Sequence, residues 1–445
     1  MNYKELSEQI VKKCLTRGAD SAEAYIETSR NLSIEIRNGE IETVQEASAN
    51  GIGLRIIVKN KLASASCNEF TEKAIADTIS KAILFAQYTS ADEFNTLPTE
   101  KEMTAVEGLF DPQLSSLKTE QKIDLLKKTE KLAMKDPRIT KSAGAAYQEG
   151  EQEIFLANSN GLLKSMKSTF CYYGISVVAE KGEQKFEGHD GCIRRFFGDF
   201  KPAEEIAESA AKKAYEMLDA RQVKTQKAPV IFDPEVAYAI LGGILRAVNG
   251  EKVLQGASFL ATQLNKKIGS ELLTIVDDGI LTKGFLSSPF DGEGVPTQRR
   301  IIIDKGILKG FMYNTHVAKR AGVKSTGNAS RDSFKSLPDI SGHNFYIDAG
   351  TSSPEEILKE TKTGLLVKEV TGYGINPVNG NFSGGVAGFW IENGKRAFPV
   401  KELTIAGSAD EMLNNIDMMG NDLDLFRNFS NGPTFRIKSM QIGGE

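Results

Sequence analysis

Few side chains in this sequence could bind a metal ion, and they lie far apart. The chain has three histidines and four cysteines, with no Cys-x-x-Cys pair. Cys171, His189 and Cys192 could lie on neighbouring strands, and two cysteines with one histidine could bind zinc. Their spacing matches no metal motif, so buried free thiols and a structural histidine are the favoured interpretation. The remaining histidines, His316 and His343, are interpreted as surface or structural residues.

Two pairs of carboxylates could do acid–base chemistry or bind a cation. The first pair, Asp277-Asp278, precedes Gly279, and Asp-Asp-Gly favours a turn because aspartate accepts backbone hydrogen bonds. The second pair, Asp291 and Glu293, stands close to Arg299-Arg300, which favours a structural loop held by charge pairs. The alternative for this region is a substrate groove, with these candidate residues: Asp291, Glu293, Arg299 and Asn328.

Sequence motifs of nucleophilic catalysis and phosphate binding are absent. No Gly-x-Ser-x-Gly elbow, phosphate-binding loop or dinucleotide fingerprint occurs in the chain. The segment 372–388 holds six glycines, which are interpreted as tight turns between strands. With no histidine at a recognisable spacing from a serine or cysteine, nucleophilic catalysis has no visible base.

The first 220 residues predict two similar units, each consisting of a helix, a meander of strands and a second helix. In the first unit, the alternating segment 32–36, the turn Asn38-Gly39 and the segment 41–44 predict a hairpin, because Asn-Gly suits the positive φ angles of a tight turn. Further strands are expected at 51–58, 142–147, 153–157, 163–179 and 184–197, and helices at 71–88, 119–134 and 202–218. The repeated order indicates an internal duplication.

Polar linkers divide the chain into three predicted domains. Unit one covers residues 1–100, unit two covers 101–225, and a β-rich C-terminal domain of short strands and glycine turns covers 226–445. A chain of 445 residues is too long for one ordinary core, which agrees with several domains. The predicted fold class is α+β, with a duplicated N-terminal half and a β-rich C-terminal domain.

Composition narrows the possible partners and the compartment. The formal net charge is −4, which argues against direct nucleic-acid binding, because neutralising phosphates requires a basic face. No apolar run is long enough to span a bilayer, and the first five residues do not begin a signal peptide, so a cytoplasmic location without membrane association is expected.

Several motifs resemble the TldD/PmbA family of metallopeptidases, which includes proteins called modulators of DNA gyrase. The resemblance covers most of the chain and is densest after residue 270. Its most specific motif runs from Asp291 to Arg300, Asp-Gly-Glu-Gly-Val-Pro-Thr-Gln-Arg-Arg. Supporting segments are 276–279, 306–310, 324–328, 387–394 and 419–422, and weaker ones are 37–40 and 51–55.

The resemblance also implies that catalytic residues have been lost. In the TldD branch, the helix corresponding to residues 234–249 carries His-Glu-x-x-x-His, and a cysteine near the C-terminus is a further zinc ligand. Here Gly242, Gly243 and Ala247 occupy the motif positions, and the segment 428–433 has no cysteine. Glycine and alanine can neither bind zinc nor accept a proton from zinc-bound water. The pattern is that of the PmbA branch, also called TldE, with no cofactor in this chain and zinc in a TldD partner.

Three functions follow as hypotheses. By resemblance, the first is a non-catalytic subunit, in a homodimer or a TldD-type heterodimer, that acts on unfolded or leader peptides, as in microcin maturation. The second is a self-sufficient homodimeric peptidase whose site has no recognisable motif. The third is a protein that binds and modulates DNA gyrase without enzymatic activity.

Overall fold

The computed structural model of the protein describes residues 2–372, 374–427 and 430–445. Long strands dominate the N-terminal half, and shorter strands in two main sheets build the C-terminal part. The predicted α+β class, with two helix–strands–helix units followed by a β-rich domain, is confirmed.

The N-terminal half is built on one six-stranded antiparallel sheet of order β3-β2-β1-β4-β5-β6. Each predicted unit contributes three strands and two helices. The first unit comprises α1 (Tyr3–Thr16), β1 (Ser21–Arg37), β2 (Glu40–Val58), β3 (Lys61–Cys67) and α2 (Glu72–Tyr88). The second comprises α3 (Thr119–Ala133), β4 (Ile139–Asn158), β5 (Leu163–Lys181), β6 (Gln184–Arg194) and α4 (Ala203–Tyr215). The two units meet where β1 pairs with β4.

The predicted hairpin between β1 and β2 is confirmed, with positive φ angles of 55° at Asn38 and 77° at Gly39. The expectation of two separate strands at 41–44 and 51–58 is wrong, because β2 runs unbroken through both. The segments 142–147 and 153–157 likewise belong to the single strand β4. The intervening residues are polar because the helices cover only the two ends of the sheet, and polarity there does not end a strand.

The C-terminal part contains two mixed sheets around a shared apolar core. The first has the order β16-β15-β14-β7-β19-β17 and the second β10-β9-β8-β13-β18. Their strands are β7 (Gln226–Phe232), β8 (Ile275–Asp278), β9 (Arg299–Asp304), β10 (Ile307–Leu308), β11 (Ala329–Ser330), β12 (Asp339–Ile340), β13 (Asn344–Ile347), β14 (Thr363–Thr371), β15 (Asn381–Glu392), β16 (Lys395–Ser408), β17 (Ile416–Met419), β18 (Ser430–Asn431) and β19 (Phe435–Gly443). The strands β11 and β12 form a separate pair.

The helices of this part are short, and the first of them lies in the core. They are α5 (Tyr238–Ala247), α6 (Gly250–Leu254), α7 (Thr315–Ala321), α8 (Pro354–Glu360) and α9 (Ala409–Asn414). The core includes Ile240 and Ile244 of α5, Val230 of β7 and Phe345 of β13. The two sheets therefore enclose α5, the helix on which the catalytic motif of the resembled family is expected.

One face of the N-terminal sheet contacts the C-terminal domain through glycines of β2. A Cβ atom on Gly51 would overlap the ring of Phe334, and one on Gly53 would overlap the Phe334 carbonyl oxygen. The phenyl ring joins Tyr25, Ile154 and Phe290 in a small apolar cluster between the domains. The absence of side chains at these two glycines thus allows the domains to pack closely beside the cavity described below.

Candidate functional site

Helix α5 places the three motif positions in different surroundings. Ala247 is completely buried in the apolar core, and Gly243 is buried against the segment that contains Ile375. A Cβ atom on Gly243 would overlap the carbonyl oxygen and Cβ of Ile375, whereas one on Gly242 would meet no atom within 4 Å. These residues supply no metal-binding atom, and two of the three positions have no free space for a larger side chain. The residues present therefore do not fit a zinc site.

Two neighbouring substitutions test this packing. Gly242→Ala is expected to stabilise the protein by about 0.5–1 kcal/mol, because alanine is a better helix former and its methyl group meets only open space. Gly243→Ala is expected to destabilise it by about 1–3 kcal/mol, because the added atom overlaps the Ile375 backbone in a closely packed core. Urea unfolding of the two variants measures both effects. Equal stability of the two would contradict the packing described for α5.

A cavity of about 500 Å³ lies between the N-terminal sheet and the C-terminal domain. One wall comes from β1, β4 and β5, and the other from residues 285–292, 329–331 and 341–343. Both aromatic and small polar side chains line these walls, including Tyr25, Ser29, Phe170, Phe285, Ser288 and Phe290. An amphipathic cavity between domains is a common location for ligand sites in proteins. Asp291 and His343 bring titratable groups to its lining.

The loop that carries Asp291 and Glu293 is held by hydrogen bonds and ion pairs. Asp291 accepts backbone hydrogen bonds from Glu293, Val295 and Ala329, each at 2.9 Å. Burial, together with the adjacent carboxylate of Glu293, raises the pKa of Asp291. Glu293 is also buried, which would raise its pKa, but its ion pair with Arg55 outweighs burial and the pKa is lowered. One carboxyl group facing the cavity is thus more basic than usual.

The predicted charge pairing of this loop has a different partner from the expected one. Glu293 pairs with Arg55 of β2 at 2.5 Å, and not with Arg299 or Arg300. Arg299 lies on β9, is 44% exposed, and approaches Asp278 at 3.5 Å without lining the cavity. Arg300 donates to the carbonyl oxygen of Phe311. The motif arginines are adjacent to Glu293 in sequence, but β9 carries them away from it.

A buried ionic cluster therefore joins the domains behind the cavity. Arg55 bridges Glu293 and Glu23, the latter at 2.6 Å, and Arg331 forms a second ion pair with Glu23. All four side chains are at most 4% exposed. No motif in the sequence indicates a role for Glu23, Arg55 or Arg331 in a site. A charged residue directly after the apolar Gly-Ile-Gly-Leu stretch of β2 was the available signal for Arg55.

The expectation of a turn holds only at Asp278, because both residues lie in β8 and are buried, while the carboxylate of Asp278 accepts a hydrogen bond from the backbone N–H of Ile280 in the turn that follows. Asp277 accepts hydrogen bonds from the backbone N–H of His343 at 2.6 Å and from the side-chain amide of Asn328 at 2.8 Å. Its other contact is with Nδ1 of His343, at 3.3 Å. Pairing of β8 with β9 and β13 buries the carboxylate of Asp277. Its hydrogen-bond partners are therefore Asn328 and His343, and not the backbone of a turn.

His343 is the member of this group that lines the cavity, although its side chain is only 10% exposed. Burial lowers the pKa of His343, but the hydrogen bond and charge of Asp277 outweigh it, and the pKa lies above its ordinary value. Burial would raise the pKa of Asp277, yet His343 and Asn328 lower it. A carboxylate that orients one ring nitrogen of a histidine is an arrangement that supports general acid–base chemistry.

The pairing of His343 with Asp277 predicts that the stability of the protein depends on pH. Because the folded-state pKa of His343 is raised, its stabilising effect is present at low pH and is lost as pH rises through that pKa. The difference in unfolding free energy between the protein and His343→Gln should therefore shrink as pH rises above about 6.5, the ordinary pKa of histidine. Urea titrations at each pH measure it. A difference that grows over this range would show that the assigned direction is wrong.

The three residues of the alternative zinc site, Cys171, His189 and Cys192, do not lie together in the structure. Cys171 and Cys192 are buried under α3 and α4, on one face of the sheet. His189 pairs in register with Ser176, three residues from Cys192 along β6, which places it on the opposite face. It contacts Tyr172 and Ser176 and lines a second cavity of about 680 Å³. The three side chains do not converge.

Across residues 2–372, 374–427 and 430–445, no group of three or more histidine, cysteine, aspartate or glutamate side chains is arranged to hold a metal ion. Within the same described residues, no helix combines the length and apolar character needed to cross a membrane. Asn428 and Phe429, part of the C-terminal segment that lacks a cysteine, lie outside the described residues.

Comparison with known proteins covers nearly the whole chain. Residues 225–444 match the PmbA/TldA metallopeptidase C-terminal domain, residues 112–218 its central domain, and residues 22–86 its domain 1. The metalloprotease PmbA of Escherichia coli O157:H7 is 34% identical over 432 residues, covering 96% of this chain and 93% of that protein.

Solved structures give the same result. A Bacteroides thetaiotaomicron protein that carries the name modulator of DNA gyrase superposes with a TM-score of 0.90 at 28% identity, covering 99% of both chains. TldE from Thermococcus kodakarensis superposes with a TM-score of 0.88 at 26% identity, covering 98% of this chain and 99% of that one. Motifs, domain matches and fold agree, and the chain belongs to the PmbA/TldD family of metallopeptidases.

Proposed function

We propose that this chain is the PmbA/TldE-type subunit of a two-subunit metallopeptidase whose zinc is bound by a TldD-type partner. The observation that supports this most directly is α5, where Gly242, Gly243 and Ala247 supply no ligand. The packing of Gly243 against Ile375 gives the loss a structural basis, because the volume of a glutamate side chain is already occupied. The likeness to TldE of Thermococcus kodakarensis supports the same branch.

The proposed role of this chain is to help bind the substrate. The cavity between the domains has aromatic side chains that can contact apolar groups of a peptide and serines that can form hydrogen bonds with its backbone. Asp291 and His343 can hold or exchange a proton at its wall, since the pKa of each is raised. Substrates of this kind are unfolded proteins or leader peptides, because an extended chain can enter a cavity that a folded domain cannot.

A self-sufficient hydrolase is the second candidate, and one observation favours it. His343 is oriented by Asp277 at the wall of a cavity that is large enough for part of a peptide. That arrangement offers a base without a metal ion. The first candidate is preferred because, among the described residues, the side-chain partners of the His343 ring are Asn328 and Asp277, and neither is a nucleophile such as a hydroxyl or thiol.

Zinc content tests the proposal. The chain purified alone is expected to hold much less than one zinc ion per molecule, because its motif positions have no donor atoms. A TldD-type subunit prepared in the same way provides the positive control, and elemental analysis of both gives the measurement. One tightly bound zinc per molecule of this chain, lost on substituting a residue of the C-terminal domain, would disprove the proposed division of roles.

A further inference from the structure

Two aromatic side chains stand on the face of the N-terminal sheet that α3 and α4 leave uncovered. Phe170 and Tyr172 alternate along β5 with Cys171 and Tyr173, which are buried in the core under these helices. Because successive residues of a strand point to opposite faces, Phe170 and Tyr172 point toward the C-terminal domain and line the cavities there. We call Phe170 and Tyr172 the aromatic platform.

Glycines allow the two rings to lie against the backbone of the sheet. Gly150 pairs in register with Phe170, and a Cβ atom on Gly150 would overlap the Phe170 ring. Gly174 and Gly191 pair with each other on β5 and β6, and a Cβ atom on either would overlap the Tyr172 side chain. A glycine inside a strand often marks a place where another group approaches closely. One side of each ring therefore rests on the sheet, and the other side is left for the cavity.

The first and second cavities meet at the aromatic platform. Phe170 and Phe285 line both the cavity of about 500 Å³ and the second cavity of about 680 Å³. Their rings meet edge to face, with centroids 5.9 Å apart. Arg195, only 6% exposed, holds the loop of Phe285 by donating hydrogen bonds to the carbonyl oxygens of Phe285 and Ser287, at 2.5 and 3.1 Å. The cavities are adjacent, so an extended peptide bound in the first would reach the second by passing these rings.

The charges around the second cavity favour a peptide over a nucleic acid. As many cationic as anionic side chains line it. Lys213 lies 3.3 Å from Asp190 and 2.8 Å from Glu235. Lys201 lies 2.7 Å from Glu205. Because these cations are already paired, the cavity has no excess positive charge with which to neutralise phosphates. A peptide backbone carries no net charge and requires only hydrogen-bond partners.

We propose that the second cavity binds an aromatic side chain of an extended peptide against the aromatic platform, with Phe285 and Phe426 as further aromatic walls. Aromatic rings attract each other in offset-stacked or edge-to-face geometries, beyond the effect of burying apolar area. Within the described residues, the Tyr172 ring packs against no other aromatic ring, so its outer side is available to one from a peptide. Resting on the proposed role of this chain in peptide binding, the assignment names the side chain that is selected and the residues that select it.

Calorimetric titration of the full chain with three flexible glycine–serine peptides tests the preference. The peptides are identical except for a central phenylalanine, leucine or serine. The phenylalanine peptide is expected to bind about 10-fold more tightly than the serine peptide, because its ring leaves water. It should bind about 2- to 10-fold more tightly than the leucine peptide, because only an aromatic ring gains the ring–ring attraction. Equal affinities, or no binding of any peptide, overturn the proposal.

Two substitutions test the platform, each with a matched control. Tyr172→Ala should remove most of the preference for phenylalanine over serine, whereas Tyr88→Ala on α2, where the side chain is 82% exposed, should retain it. Gly191→Ala should also weaken the preference while keeping every ring, because the added methyl group displaces the Tyr172 ring from the sheet. Gly198→Ala is its control, since a Cβ atom there meets no atom within 4 Å. An unchanged preference in both Tyr172→Ala and Gly191→Ala overturns the proposal.

Photo-cross-linking tests the position. A peptide with benzoylphenylalanine in place of the central phenylalanine should attach, by mass spectrometry, to residues 170–172, 285 or 424–426. Attachment only outside the second cavity, or displacement of the phenylalanine peptide by a single-stranded oligonucleotide, overturns the proposal. None of these measurements involves zinc or cleavage. A chain that shows the preference but supports no cleavage with a TldD-type subunit would disprove the proposed function alone, and cleavage without the preference would disprove only the aromatic site.

Discussion

Purified alone, the chain is expected to leave an unfolded substrate such as casein intact, whereas a mixture with a TldD-type subunit should cleave it. Hydrolysis by a metallopeptidase requires a Lewis acid and an activated water, and Gly242, Gly243 and Ala247 can hold neither. The expected contrast is between no detectable cleavage and cleavage that a chelator abolishes. Gel electrophoresis of casein over a time course, with and without chelator, measures it.

A reconstruction of the motif provides the control. Combining Gly242→His, Gly243→Glu and Ala247→His should not create activity. The glutamate would overlap Ile375, the second histidine would replace a fully buried alanine in the core, and the C-terminal cysteine ligand is also missing. Chelator-sensitive cleavage by the unmodified chain alone would contradict the subunit assignment. Chelator-insensitive cleavage that His343→Gln abolishes would favour the self-sufficient hydrolase.

Loss of the buried arginine between the domains should have the largest effect on stability. Arg55→Ala is expected to destabilise the protein by about 3–5 kcal/mol, because Glu23 and Glu293 would remain charged and buried with a partner removed. The matched control is Arg30→Ala on the neighbouring strand. Its ion pair with Glu46 is more than half exposed and should contribute no more than about 1 kcal/mol.

Urea unfolding monitored by far-ultraviolet circular dichroism and by the fluorescence of Trp390 measures these effects. Trp390 is the only tryptophan, and it lies in the C-terminal domain, so the fluorescence reports on that domain while the circular dichroism reports on the whole chain. A shift of the fluorescence transition to lower urea in Arg55→Ala would show that the cluster stabilises the C-terminal domain by joining it to the sheet. Equal, small effects of Arg55→Ala and Arg30→Ala would contradict a structural role for the buried pair.

Local sequence patterns were sufficient to predict much of the secondary structure of the N-terminal half. Helical spacing of apolar residues predicted α2, α3 and α4 nearly to their ends, and the positive φ required by Asn38-Gly39 located the hairpin. Polar stretches inside β2 and β4 were misread as breaks between strands. The reason is that a strand is defined by pairing with its neighbours, and the middle of this sheet pairs fully although helices do not cover it.

For the candidate site, local sequence patterns predicted some of the residues but not which of them share a surface. Asp291, Glu293 and Asn328 were selected from sequence, and the structure places Asp291 at the cavity, with Asn328 bonded to Asp277 behind His343. Arg299 was selected with them and lies elsewhere on β9. Neighbours in the motif alternate between the two sides of a strand or leave a loop in different directions, so nearness in sequence did not predict a shared surface.

The sequence by itself determined the family, the α+β class and the absence of ligand atoms at the motif positions, because these depend on which residues are present and in what order. Only the tertiary structure decided that Ile375 fills the space beside Gly243, that Arg55 meets Glu293 and Glu23, and that Asp277 orients His343 at a cavity wall. Each of these contacts joins residues far apart in the chain. They depend on how sheets and domains pack, which a local pattern of residues does not encode.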